Sequence, residues 1–241
     1  MIDYIISFNN PHRHFVDFQL STKTNGANKM QFQLPAWRPG RYELADFAQN
    51  IQKWGAFNEK NNPLPFKKIR KDLWEVETKN TIEITIFYNF YANQLDAGAC
   101  YLDEYQLYLN PVNCMFYIVN RKEERYQLNM EIPKDYKIAS SMKKDENTLS
   151  ANGYDLLAES PIICSNSLQY GTYDVNGTVF HLWFQGECQV DWNKLKTDFI
   201  SFTKSQMKHF GGFPVDDYHY FFQITPHRSY HGVEHTKNTV L

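Results

Sequence analysis

The segment His231-Gly232-Val233-Glu234-His235 gathers two imidazoles and a carboxylate within five residues. On a helix, histidines four apart in an H-x-x-E-H string share a face and can chelate one metal ion, usually zinc. The neighbouring residues oppose a helix. Gly232 weakens one in its first turn, Pro226 lies shortly before, and Thr236, Thr239 and Val240 favour extended backbone. Extended chain offers different chemistry: an edge of backbone N–H and C=O groups can pair with a peptide laid beside it, and Gly232 permits close approach. A carboxylate on such an edge can hold a free α-amino group. Gly232, Val233, Glu234 and His235 are therefore read as substrate-binding residues with Glu234 as the anchor, and a solvated loop with chance histidines is the plain alternative. No catalytic residue and no metal ligand is assigned within the chain.

Other reactive side chains lead to weaker readings. His12 and His14 stand two apart on an expected strand, where they would share a face, but a third ligand is lacking. Asp216-Asp217 reads as a solvated turn, with Asp217 able to serve as a polar strand end. Trp37-Arg38-Pro39-Gly40 reads as a structural corner, because Pro-Gly sets a tight turn and tryptophan buries area beside it. The stretch from Tyr101 to Tyr108, rich in tyrosine and acids, could rim a peptide cleft. Cys100, Cys114, Cys164 and Cys188 form no CxxC pair and are read as free thiols.

These residues need a scaffold. Apolar and polar residues alternate in Met30-Gln31-Phe32-Gln33-Leu34, in Ile82-Glu83-Ile84-Thr85-Ile86, and around Val16-Phe18-Leu20 and Leu128-Met130-Ile132, which is the period of half-buried strands. Turn residues at Asn25-Gly26, Asn61-Asn62-Pro63 and Asn110-Pro111 separate them. Short strands without intervening helices predict a β-sandwich over residues 1–160. Tyr154-Asp155-Leu156-Leu157-Ala158-Glu159-Ser160-Pro161 reads as a helical turn stopped at proline, a joint between two units. Strands at 168–174 and 178–185 flank Asn176-Gly177, a tight hairpin signal. From Asp191 to Phe210, Trp192, Leu195, Phe199, Phe202, Met207 and Phe210 recur at mostly three- and four-residue steps, predicting one helix with an apolar stripe. Asp191 suits its N-cap and Gly211-Gly212 its end. Tyr218 to Ile224 follows as an aromatic strand. Residues 161–241 thus read as the beginning of an α/β unit too short to bury its own core, and the apolar end Thr239-Val240-Leu241 points to truncation.

A formal net charge of -2 and scattered lysines give no field for a phosphate backbone, so nucleic acid is not an expected partner. No apolar stretch is long enough for a membrane helix, and Met1-Ile2-Asp3-Tyr4 enters a strand pattern without a secretory signal, so the expected location is the cytoplasm unless a leader was removed. An aromatic content of 16% suits broad packed strand faces, and it leaves open a non-catalytic binding module for peptide or glycan. A small metalloprotease built on the literal H-x-x-E-H string is the second rival.

Three blocks resemble the glycyl-aminopeptidase-like family of zinc metallopeptidases, gluzincins that often carry a PDZ domain. They are Leu34-Pro35-Ala36-Trp37-Arg38-Pro39-Gly40-Arg41-Tyr42 with Asp46-Phe47-Ala48, the joint Tyr154 to Pro161, and His231-Gly232-Val233-Glu234-His235 with Asn238 to Leu241. The first is similar to the family's Trp-x-Pro-Gly-x-Tyr signature and the last to its Gly-Gly-x-Glu-His strand. Three positions depart: Glu159 stands where Asp is usual, His231 where glycine is common, and Asn238 where serine is expected. The resemblance implies the front part of a thermolysin-like enzyme. Zinc in the longer parent would activate water for removal of amino-terminal residues from peptides. The His-Glu-x-x-His helix is absent from this chain and would lie beyond Leu241, so the chain's partners would be a free-amino peptide and the rest of its own catalytic domain.

Overall fold

Alternation in Ile2–Ser7, Phe15–Lys23 and Glu83–Tyr91 places Ile2, Tyr4, Ile6, Phe18, Leu20, Ile84 and Ile86 on one buried face. The computed structural model describes residues 1–39, 43–226 and 231–241. Among them, seven strands form the first sheet in the order Lys143–Asp145, Thr148–Asn152, Arg125–Glu131, Ile2–Ser7, Phe15–Lys23, Glu83–Tyr91, Ile51–Asn58. Ile2–Ser7 pairs antiparallel with Phe15–Lys23 but parallel with Arg125–Glu131, so the chain returns from far away to complete the sheet. A second sheet, Tyr117–Ile118, Lys29–Gln33, Leu73–Glu77 and Phe66–Arg70, covers its apolar face. Phe32, Trp74 and Val76 from this sheet share one core with Phe18, Tyr88 and Phe116, and the result is a β-sandwich. Each such side chain contributes roughly 1.5–3 kcal/mol by leaving water.

Buried tyrosines tie the chain within that core. Tyr88 donates to the Cys114 carbonyl at 2.7 Å and Tyr154 to the Met115 carbonyl at 2.8 Å, while the Tyr4 hydroxyl donates to Phe116 O and accepts from Phe116 N. Three phenols thus satisfy the backbone at the end of the short helix Pro111–Cys114 and just after it, in surroundings where unpaired carbonyls are costly.

A third sheet, Lys137–Ala139, Ile162–Ser165, Leu107–Leu109 and Tyr101–Leu102, is the joint. Leu107, Leu109, Ile162 and Cys164 point into the sandwich core, whereas the alternate residues Tyr108, Ile163 and Ala139 pack on Phe221 and Val240 of the last sheet. One strand layer therefore serves two cores, which fixes the second unit against the first.

The last sheet runs Gln169–Val175, Thr178–Gln185, Asp217–Gln223, Asn238–Val240, Val233–Glu234. Its first hairpin turns on Asn176 and Gly177, both at positive φ, as a tight Asn-Gly turn requires. The helix Trp192–Phe210 covers the face opposite the joint; Asp191 accepts the Lys194 N–H at 3.0 Å, and Gly211 closes the helix at φ 83. No helix is long and apolar enough to cross a membrane among the described residues.

Several expectations are corrected. Phe202 and Phe210 do not belong to the helix's packed stripe; they are exposed, and Thr203 is buried in their stead, bonded to the Tyr173 hydroxyl at 3.0 Å. Counting four from Phe199 reaches Thr203, so Phe202 falls at the flank. His12 and His14 share no strand: Pro11–Arg13 is a single 3₁₀ turn and His14 sits left-handed at φ 56. Trp37, expected to be buried at the corner, is 48% exposed, and Arg38 is the buried residue there, its guanidinium lying against Gly98, where no side chain intervenes. Gly40, Arg41 and Tyr42 lie outside the described residues. Tyr108 is fully buried in the joint rather than on a rim, and its hydroxyl donates to Ala97 O at 2.7 Å. The cysteines meet expectation: all four are free thiols, three of them buried.

Candidate substrate-binding edge

The H-x-x-E-H letters fall on an extended hairpin. Val233–Glu234 pairs antiparallel with Asn238–Val240, Val233 opposite Val240 and Glu234 opposite Thr239, and it ends the strand order of the last sheet. Strand alternation then separates the side chains. Val233 packs into the joint core, and His235, on the same face, keeps a side chain only 4% exposed. Glu234 projects on the opposite, helix-bearing face and is exposed. Its charge reaches Tyr218, whose hydroxyl is pushed up mainly by burial, then held down by its bond to Thr239 and raised again by Glu234. Gly232 is exposed, and a side chain there would meet Leu241 at 3.3 Å, so its bareness leaves the Leu241 side chain its place.

The two histidines serve different partners. His231 Nδ1 lies 3.4 Å from Asp96 Oδ1, and His235 Nδ1 donates to Glu159 Oε2 at 3.3 Å. Glu159 also accepts the Thr236 N–H at 3.3 Å, and its carbonyl accepts Asn238 Nδ2 at 2.9 Å. The His235 hydrogen bond holds the Glu159 carboxyl below its usual range; burial opposes this, while the His235 charge, Thr236 and Arg38 assist. His235 Nε2 is buried with no hydrogen-bond partner. Among the described residues, no group of three or more His, Cys, Asp or Glu could hold a metal ion. The described residues of this hairpin therefore do not fit a zinc site.

A second polar cluster lies on the joint-facing side of the same sheet. Trp183 Nε1 donates to His219 Nδ1 at 3.2 Å, leaving Nε2 to carry the proton and face Asp217 Oδ2 at 3.5 Å. Lys237 Nζ reaches Asp217 Oδ1 at 3.0 Å, and His181 stacks on His219 with ring centres 4.2 Å apart while bonding the Tyr170 hydroxyl at 2.8 Å. Burial first, then the neighbouring His181, pushes His219 down to about 3, with Asp217 opposing. Sequence reasoning found neither this cluster nor the grip of Glu159 on the hairpin. The only local sign was polar residues interrupting aromatic strands, as His181 does beside Trp183 and His219 beside Phe221.

The fold is thus a β-sandwich joined through a shared sheet to a strand–helix–strand unit, with the Glu234 carboxylate exposed on the terminal strand. The family model for the peptidase M61 N-terminal domain matches residues 3–166, and the chain belongs to that family. An aminopeptidase N family protein from Idiomarina loihiensis is similar in structure over 100% of this chain and 42% of its own, with TM-score 0.92 and 23% identity. An M1 zinc metallopeptidase from Deinococcus radiodurans is similar over 99% of this chain and 58% of its own, with TM-score 0.55 and 11% identity. A mutant of that enzyme bound to a Tyr-Ser-Ala substrate is similar with TM-score 0.51 and 11% identity. The chain thus spans less than two thirds of these proteins' lengths. No curated protein matches the sequence.

Proposed function

We propose that this chain supplies the substrate-gripping part of a zinc-dependent aminopeptidase, with Glu234 holding the free α-amino group of a peptide laid along Val233–Glu234. The observation that carries this reading is an exposed carboxylate on the terminal strand of a sheet, beside an aromatic face that the helix covers incompletely. Tyr218, Tyr220 and Phe222 on the strand Asp217–Gln223 are only partly buried there. A peptide added to the edge would gain backbone hydrogen bonds, and a carboxylate near its amino end would select the charged amine. Zinc chemistry belongs, in this reading, to a region outside these residues, and the chain alone does not cleave peptides.

The test is made in a longer protein joining this chain to a zinc-binding region. Glu234→Ala should raise KM for free-amino peptides far more than for acetylated ones. Equal loss on both removes the anchor role. Chelator-sensitive aminopeptidase turnover by this chain alone would overturn the division of labour.

A further inference from the structure

The strand that carries Glu234 is too short to hold itself. Val233–Glu234 has two residues, paired to Asn238–Val240 through two registers, and hairpins of that size are marginal in water. The turn between the strands is instead gripped from the amino-terminal unit. Glu159 caps the short helix Tyr154–Ala158, and its own N–H is occupied by the Asp155 carbonyl at 3.0 Å. Its carboxylate accepts His235 Nδ1 and the Thr236 N–H, both at 3.3 Å, and its carbonyl accepts Asn238 Nδ2 at 2.9 Å. Asn238 also bonds Ser141 Oγ at 2.9 Å, and His235 N donates to Asn238 O at 2.7 Å to close the turn. An exposed ion pair would do little here, but the His235 side chain is 4% exposed and Asn238 is fully buried.

We propose that Glu159 is a positioning residue: by holding the turn His235 to Asn238 it sets where the edge strand, and with it the Glu234 carboxylate, stands in the sheet. This rests on the reading of that strand as the peptide-binding edge. A binding edge must be held rigidly to align a substrate, and charge-assisted hydrogen bonds from a packed neighbouring unit do so where the strand's own ladder does not.

The experiment is amide hydrogen exchange by NMR on the 241-residue chain, with the His235 imidazole ¹⁵N shifts as signature. Glu159→Ala should speed exchange at His235 and Thr236 by about tenfold while Leu20 and Ile86 in the sandwich keep their protection. It should also move the His235 nitrogen shifts, and Glu159→Gln, which still accepts hydrogen bonds, should restore part of both. Unchanged exchange and unchanged His235 shifts overturn the proposal. Should Glu159→Ala loosen the sandwich as well, His235→Phe removes the imidazole bond from the other side and leaves Thr236 bonded to the carboxylate; faster exchange at residue 235, whose N–H closes the turn, supports the grip, and none overturns it. Titrating a free-amino tripeptide against the same samples separates the two ideas. Weaker binding in Glu159→Ala supports positioning, and equal binding overturns it. No binding to the unsubstituted chain removes the amine-anchor reading, and the grip is then judged by exchange alone.

Discussion

A side chain at residue 98 would place its Cβ 1.8 Å from Nη2 of Arg38 and 2.6 Å from its Cζ, so the buried guanidinium occupies the space that Gly98 leaves open. Gly98→Ala must displace Arg38 from its pocket. The expected loss is about 1–3 kcal/mol in urea unfolding. The loss should shrink in an Arg38→Ala background, because the clash has then lost its partner; equal losses in both backgrounds would refute the steric account.

The buried tyrosines should divide into two kinds. Tyr88→Phe leaves the Cys114 carbonyl without its phenol donor, at a cost of about 1–3 kcal/mol. The Tyr126 hydroxyl is buried with no hydrogen-bond partner, so Tyr126→Phe should cost far less or stabilise. Denaturation midpoints of the two variants decide between this and a uniform aromatic packing effect.

Stability should fall on mild acidification. His219 is pushed down to about 3 from 6.5, so between those values the unfolded chain binds a proton that the folded one refuses. The stabilisation is complete above the unfolded value and is lost as pH falls toward the folded one. The expected loss between pH 7 and 5 is about 2 kcal/mol. His219→Gln should reduce that loss and leave the share of His181, whose imidazole burial also pushes down. Glu159, lowered in the fold from 4.5, adds its own loss only below that value, so the interval between pH 7 and 5 reports the imidazoles while the two kinds of group overlap at lower pH.

The helix stripe gives a packing contrast. Met207 is buried against the sheet, whereas Phe210 is 76% exposed. Met207→Ala should cost about 2–5 kcal/mol. Phe210→Ser should stay within about 0.5 kcal/mol, and thermal melts of both variants check the difference.

Features governed by neighbouring residues were readable before any fold was known. Asn176-Gly177 dictates its hairpin because both positions need positive φ. Asp191 and Gly211 bound the helix because cap chemistry acts within one turn. The extended character around Glu234 follows from its glycine and β-branched surroundings, and Val233–Glu234 is a strand. The stripe was less legible at Phe202, because hydrophobicity alone does not reveal that a threonine hydroxyl will find a buried phenol such as Tyr173.

Sequence by itself therefore determined periods, turns, caps and the family blocks. Tertiary structure alone decided which residues meet: His235 with Glu159 across 76 residues, Asn238 with Ser141 across 97, and Arg38 with Gly98. It likewise decided that Tyr108 and Leu107, adjacent in sequence, feed two different cores. The physical reason is range. Backbone propensity and alternation act over a few residues, while burial and charge pairing depend on which surfaces the completed chain brings together.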